Sequence, residues 1–324
     1  MKKAPLFAAL LLALIAAGLL LRTPDTDPQE MLEKYTNAES EFVENGEGLR
    51  VHYRDQGNPD GLPIVLVHGT SASLHTWEPL VEELGDEYRL VTLTLPGHGL
   101  SSLHPDEDYG FSGYEDAVAL VTAELGLERF VLGGNSLGGW IAWRYALARP
   151  DEVDALLLLN AAGSPLRPGE EPAPMGLGFR LASNPVGRYI LTQVTPRSLV
   201  RETALASVSV KSVMDDAAVD RYWELLRLPG NRHAAVMRTI DEREAGAFDR
   251  IGEIEQPALV IWGEEDQFIH ASAALTFDEN MQDAQIVIYD GIGHLPMEEA
   301  PEATAADIDA FLDARLRTVS PVPY

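Results

Sequence analysis

The sequence predicts an α/β fold: a mostly parallel sheet with helices on both faces, interrupted by a helical insertion. Three observations predict it. Short runs that are apolar throughout, such as residues 64–67 and Val153–Leu159, suit strands buried on both faces, because neither face meets water. Between these runs stand stretches with apolar residues at helical spacing, and such alternation implies parallel strands joined by crossovers. One long interval, residues 164–246, carries no convincing strand and so interrupts the sheet with helices.

Taken in chain order, Lys2 and Lys3 precede an apolar run over residues 4–21 that only Pro5 and Gly18 interrupt. At about 1.5 Å per helical residue the run reaches ~27 Å, close to the ~30 Å hydrocarbon thickness of a bilayer. It has no polar face, which a soluble helix needs, and Leu19-Leu20-Leu21-Arg22 offers no small-x-small cleavage site. The segment therefore reads as an uncleaved membrane anchor, with a cleaved signal peptide and secretion as the alternative. The lysines before the span place the rest of the chain outside the cytoplasmic membrane, periplasmic or extracellular. Residues 23–39, polar and acidic with two prolines, read as a tether.

Residues 50–55 alternate like a half-exposed strand, and Asn58-Pro59-Asp60-Gly61 is a turn. Strands follow at 64–67, 90–95, 130–132, Val153–Leu159, 258–262 and 285–289. Helices are predicted over 76–84, 114–125, Leu137–Ala148 and 303–316. The insertion opens with a Pro/Gly-rich stretch and continues as three or four helical pieces. Asn184-Pro185 and Thr195-Pro196 mark starts there, and Gly230-Asn231 marks a stop. The predicted organisation is 1–22 anchor or signal, 23–39 tether, 40–163 with 247–318 as the core, and 164–246 as the insertion.

Composition narrows the function. The chain of 324 residues is 46% hydrophobic, enough for a sizeable core, but has 24 Lys and Arg against 51 Asp and Glu. The net charge of −27 repels phosphate backbones, so no nucleic-acid partner is expected. The absence of cysteine excludes disulfides, Cys-ligated metals, iron–sulfur clusters and thiol catalysis. No metal-ligand cluster stands in the sequence, and neither a metal nor a cofactor is implied.

Gly134-Asn135-Ser136-Leu137-Gly138 fits G-x-S-x-G. The pattern alone is common; here a buried strand enters it and an apolar helix leaves it, which puts Ser136 on a strained turn at a sheet edge. No Lys follows for a phosphate loop, and the dinucleotide spacing is absent. A serine hydroxyl needs a base, and the base needs an orienting acid. Among eight histidines His294 is the best placed, in a Gly-rich loop between the last strand and the last helix. His52, His75, His104, His233 and His270 read as structural or solvated. The strand 258–262 runs into Glu264, Glu265 and Asp266; Asp266 is the expected acid and Glu265 the second choice. Asn160, at the end of the preceding strand, cannot carry the charge. The Thr70 backbone N–H, after the strand ending His68-Gly69, is expected to pair with that of Leu137 as an oxyanion hole, with His68 supporting the turn.

Four blocks in this order resemble the α/β-hydrolase superfamily in its lid-bearing branch: Val67-His68-Gly69-Thr70, Leu95-Pro96-Gly97-His98-Gly99-Leu100-Ser101, the Ser136 pentapeptide, and 262–266 with Gly293-His294. The resemblance covers residues from about 40 to 316. It implies the α/β-hydrolase fold, with the insertion as a lid over Ser136, and a serine hydrolase acting on small apolar carboxylic esters. Haloalkane dehalogenases and epoxide hydrolases of the branch carry an aspartate where this chain has Ser136. Meta-cleavage product hydrolases share Gly-Asn-Ser but differ after His68-Gly69 and His294, so C–C hydrolysis, like perhydrolysis, stays an alternative. A non-catalytic binding protein would need a damaged triad, and each position holds the right residue type. Phe179, Tyr189, Tyr222 and Trp223 are candidates to line an acyl pocket.

Overall fold

The computed structural model describes residues 22–173, 176–238 and 247–317. The expected anchor, residues 4–21, lies outside them, as do the expected boundaries at 246 and 318. Among the described residues no helix is long and apolar enough to cross a membrane.

The strands are β1 (Ser40–Glu44), β2 (Arg50–Gly57), β3 (Pro63–Val67), β4 (Arg89–Leu93), β5 (Phe130–Asn135), β6 (Val153–Leu159), β7 (Ala258–Gly263) and β8 (Ala284–Tyr289). They form one sheet in the order β1-β2-β4-β3-β5-β6-β7-β8. β1 with β2 and β2 with β4 pair antiparallel, and every other pairing is parallel. Before β6 come helices α1 (Pro28–Tyr35), α2 (Glu78–Leu84), α3 (Phe111–Glu124) and α4 (Leu137–Ala148). Between β6 and β7 stand α5 (Leu177–Ala182), α6 (Pro185–Gln193), α7 (Arg197–Ser207), α8 (Asp216–Leu226) and α9 (Asn231–Arg238). The chain continues through α10 (Ser272–Asn280), α11 (Pro296–Glu299) and α12 (Pro301–Leu312).

The doubly apolar runs are buried on both sides, as parallel strands demand. Ile64, Leu66, Leu157 and Ile261 pack with Leu80 of α2 and Ile308 and Phe311 of α12. Their neighbours Val65, Val67, Leu158 and Val260 point the other way, into α3, α4 and α10.

The segment expected as a tether carries α1 instead. Asp27 accepts hydrogen bonds from the Gln29 and Glu30 amides, Pro28 opens the first turn, and Met31 is buried with Leu225 and Leu228. Strand β1 precedes the first strand predicted. In the insertion Asn184 caps α6 through the Gly187 amide, as its sequence suggests. Thr195 caps nothing: its hydroxyl donates to Leu191 O, and Pro196 takes the cap position of α7. Gly230, at φ +89°, separates α8 from α9 and does not end the helical run.

Candidate active site

Ser136 stands between β5 and α4 with φ +53° and ψ −112°, a strained backbone for a non-glycine residue. Its amide donates to Leu159 O (3.0 Å), and its carbonyl accepts from the Trp140 (3.1 Å) and Ala162 (2.9 Å) amides. The flanking glycines are needed for space. A Cβ at Gly138 would lie 1.9 Å from Val67 O, and one at Gly134 would lie 2.2 Å from the Gly138 carbonyl carbon.

Asp266, just past β7, and His294, past β8, reach the same edge. Asp266 Oδ2 lies 2.7 Å from His294 Nδ1, and both side chains are buried. A carboxylate only accepts, so Nδ1 carries the proton and Nε2 has its lone pair free. Burial opposes ionisation of Asp266. The adjacent His294, together with hydrogen bonds from Asn160 and the Phe268 amide, outweighs it and holds the carboxyl below its usual range. Glu264 and Glu265 are exposed to solvent. Ser136 and His294 both line one cavity, yet among the described residues no hydrogen bond joins the Ser136 hydroxyl to the imidazole. In unliganded sites such bonds are often long and tighten on substrate binding.

The turn after β3 abuts the serine. A Cβ on Gly69 would come within 3.2 Å of Ser136 Cβ and 2.8 Å of Asn135 Oδ1. The Thr70 and Leu137 amides donate to no protein acceptor among the described residues, and Leu137 opens α4, where free N–H groups carry the positive end of the helix dipole. His68 supports this turn: its Nε2 accepts the Leu95 amide (3.0 Å), so Nδ1 donates to Gly69 O (2.7 Å). Burial pushes His68 down to about 4, so the ring is neutral at ordinary pH.

Three supporting residues escaped the sequence reading. Asn160 donates to Asp266 Oδ2 at 2.7 Å, so a residue that cannot itself hold charge orients this carboxylate. Asn135 donates to His294 O (2.9 Å), tying the serine's neighbour to the histidine loop. Glu299, also buried, accepts from the Gly293 (3.0 Å) and Leu295 (3.2 Å) amides on either side of His294, and from Ser209 (2.6 Å) and Val210 (2.9 Å) past α7. The Gly134-Asn135-Ser136 spacing marks Asn135; nothing local marks the other two. Next to it in α11, burial raises the Glu298 carboxyl to about 7 even though the Thr76 hydroxyl donates to it.

The cavity measures about 410 Å³ and is bounded by the sheet-edge loops and by the helices between β6 and β7. Its walls are largely apolar, including Leu191, Leu199, Val200, Phe268 and Leu295. Of the three aromatic candidates with described side chains, Tyr222 lines it and Tyr189 and Trp223 do not. Tyr189 is 69% exposed, Trp223 donates to Thr195 O (2.8 Å), and the Phe179 side chain lies outside the described set.

Residues 64–307 match the family model described as the alpha/beta hydrolase family. An uncharacterized hydrolase, YugF of Bacillus subtilis, is 26% identical over 82% of this chain and 95% of its own length. Lipase 1 of Psychrobacter immobilis is 26% identical, over 82% of this chain and 81% of the lipase. A crystal structure of a membrane phospholipase A, a bacterial virulence factor, superposes with a TM-score of 0.71 at 26% identity. That superposition covers 97% of this chain and 99% of the other.

Proposed function

The chain belongs to the alpha/beta hydrolase family, and from that premise we propose that it is a serine hydrolase of carboxylic esters. The observation that carries the reading is the buried 2.7 Å Asp266–His294 pair beside the cavity that Ser136 lines. The similar lipase and phospholipase, whose names both denote ester hydrolysis, support it. In the proposed reaction Ser136 Oγ bonds to the ester carbonyl carbon as His294 Nε2 takes its proton. The Thr70 and Leu137 amides stabilise the oxyanion. Collapse breaks the C–O bond, and the histidine's proton leaves with the alcohol. Water then attacks the acyl-enzyme, giving one proton to His294, which returns it to Ser136 as the acid departs. Asp266 holds the imidazole tautomer throughout, and the helices of 164–246 act as a lid. Residues 4–21 anchor the enzyme, with the catalytic domain outside the cytoplasmic membrane.

The test is covalent labelling by a fluorophosphonate, with turnover of p-nitrophenyl esters of increasing chain length set against a dienoate ketone. Labelling at Ser136 with ester turnover is expected. No labelling in folded protein overturns the serine assignment, and preference for the ketone substitutes C–C hydrolysis. For the anchor, retention in the membrane fraction after an alkaline wash is expected, and release into the supernatant overturns it.

A further inference from the structure

Helices α5 and α6 form a wall with two unlike sides. On the inner side Gly178, Ala182 and Leu191 line the cavity. On the outer side Leu177 is 52% exposed, Val186 69%, Tyr189 69% and Ile190 41%. Positions 186, 189 and 190 share one face of α6, being three and four residues apart. The two helices pack tightly enough that a Cβ on Gly187 would lie 2.0 Å from Leu181 O, so the outer residues form one surface. Exposed apolar side chains grouped in this way mark a contact site.

The stretch that carries this surface, α5 to α7, differs in charge from the chain as a whole. Residues 177–207 carry four arginines and a single glutamate in a chain whose net charge is −27. Among the described residues Arg180, Arg188 and Arg201 form no ion pair, whereas Arg197 is held by Asp216 and Asp220. Apolar residues with arginines around them suit an anionic lipid surface: the arginines meet headgroups and a tyrosine sits at the interface.

The position of the N-terminal segment points to the same occupant. The Thr23 amide donates to Gln193 O (2.9 Å) at the end of α6, and its hydroxyl accepts from the Thr195 amide (3.0 Å). Arg232, which lines the cavity, donates to Thr23 O (2.9 Å) and pairs with Asp25. Only Arg22 stands between this docked threonine and the apolar run 4–21. The described residues that follow the run in sequence are therefore docked beside α6.

We propose that the outer face of α5 and α6 rests on the lipid bilayer and that the cavity behind it takes long-chain esters from that bilayer. This rests on the ester-hydrolase reading and adds to it where the substrate comes from.

Because the chain contains no cysteine, one introduced thiol gives one label. The full chain carrying Tyr189→Cys with a nitroxide, in vesicles of equal parts phosphatidylcholine and phosphatidylglycerol, is compared with Glu128→Cys, an exposed site before β5. The label at 189 should collide more with oxygen than with an aqueous nickel complex, and the label at 128 the reverse. Equal behaviour at the two sites overturns the proposal. So does spin–spin broadening at 189 that disappears on dilution with unlabelled protein, which would make the face a contact between copies. In the second arm, Val186→Asp with Tyr189→Asp should lose at least about tenfold in turnover of monooleoylglycerol in the same vesicles. Its turnover of soluble p-nitrophenyl butyrate should stay within about twofold, since neither residue lines the cavity. Equal loss on both esters, or loss on neither, overturns the bilayer as the source. Wild-type protein that cleaves neither ester overturns the hydrolase reading and the bilayer-borne substrate with it; the nitroxide reads the surface independently of turnover.

Discussion

The sheet edge and the α5–α6 wall bound the same cavity, yet they are held in opposite ways. At the sheet edge the Asp266 carboxylate accepts four hydrogen bonds, from His294, Asn160 and the Phe268 and Ile269 amides, and Glu299 binds amides on both sides of His294. Across the cavity, α5 and α6 have six and nine residues, and much of their apolar surface faces outward. Attack and proton transfer need positions held to about half an ångström, which buried, fully bonded groups supply. Admitting a substrate needs a boundary that yields, and short helices with few buried contacts open at low cost. In the proposed reaction, precision and access thus fall to different parts of the chain.

The largest expected effects belong to the rigid side. Ser136→Ala and His294→Ala should each lower kcat by about four to six orders of magnitude, with circular dichroism unchanged. Asp266→Asn should cost about 10⁴-fold by letting the imidazole take the wrong tautomer. Exposed Glu265→Gln should stay near wild type. If Glu265→Gln proves as damaging as Asp266→Asn, the acid has been misassigned.

A smaller effect sharpens the comparison, because Glu299 joins the His294 loop to the start of the segment after α7. In Glu299→Gln an amide NH₂ would face backbone N–H donors, at a stability cost of about 2–4 kcal/mol. Assayed well below its melting temperature, the variant should lose about tenfold in kcat with KM nearly unchanged, because the imidazole and not the cavity wall is displaced. A change confined to KM would place its influence on the wall.

The smallest effect is a pH dependence. Glu298 has its folded pKa raised from 4.5 to about 7 by burial. Its protonated form favours the folded state, so that stability is fully present below about pH 4.5 and is lost as pH rises through about 7. The difference is at most about 3 kcal/mol. Denaturant midpoints should fall over this window in the wild type and less steeply in Glu298→Gln. Parallel slopes would show that Glu298 is not the source.

How legible each part was follows from where its stabilising contacts lie. Strands β3, β6 and β7 are apolar at every position or nearly so, because both faces are covered, and that pattern is local. Strand β1 buries only Val43 and pairs along one edge, so Ser40–Glu44 carries little signal. Helix α1 has only Met31 buried, which left its polar composition to suggest a tether. Helix α10 went unseen because its cap position is Ala271, which has no side-chain acceptor. At the site, Ser136, Asp266 and His294 each follow a recognisable strand. Asn160 and Glu299 act on groups brought to them by folding, up to 106 residues away in Asn160's bond to Asp266, and no local pattern carries that information.

The hydrogen bond from His68 to Gly69 O reaches further than the turn it braces. The Gly69 carbonyl and the Thr70 N–H belong to one planar trans peptide, so they point in opposite directions. Fixing the oxygen against the imidazole therefore aims the amide hydrogen the other way, and the histidine acts as the keeper of a peptide dipole. That keeper depends on one missing proton: Nε2 can receive the Leu95 amide only while the ring is neutral. Acidification through about 4 would protonate the ring and turn Nε2 from acceptor to donor. The Leu95 amide would then meet another N–H, and the imidazole that fixes the peptide plane beside Ser136 would lose one of the two bonds that hold the ring in place.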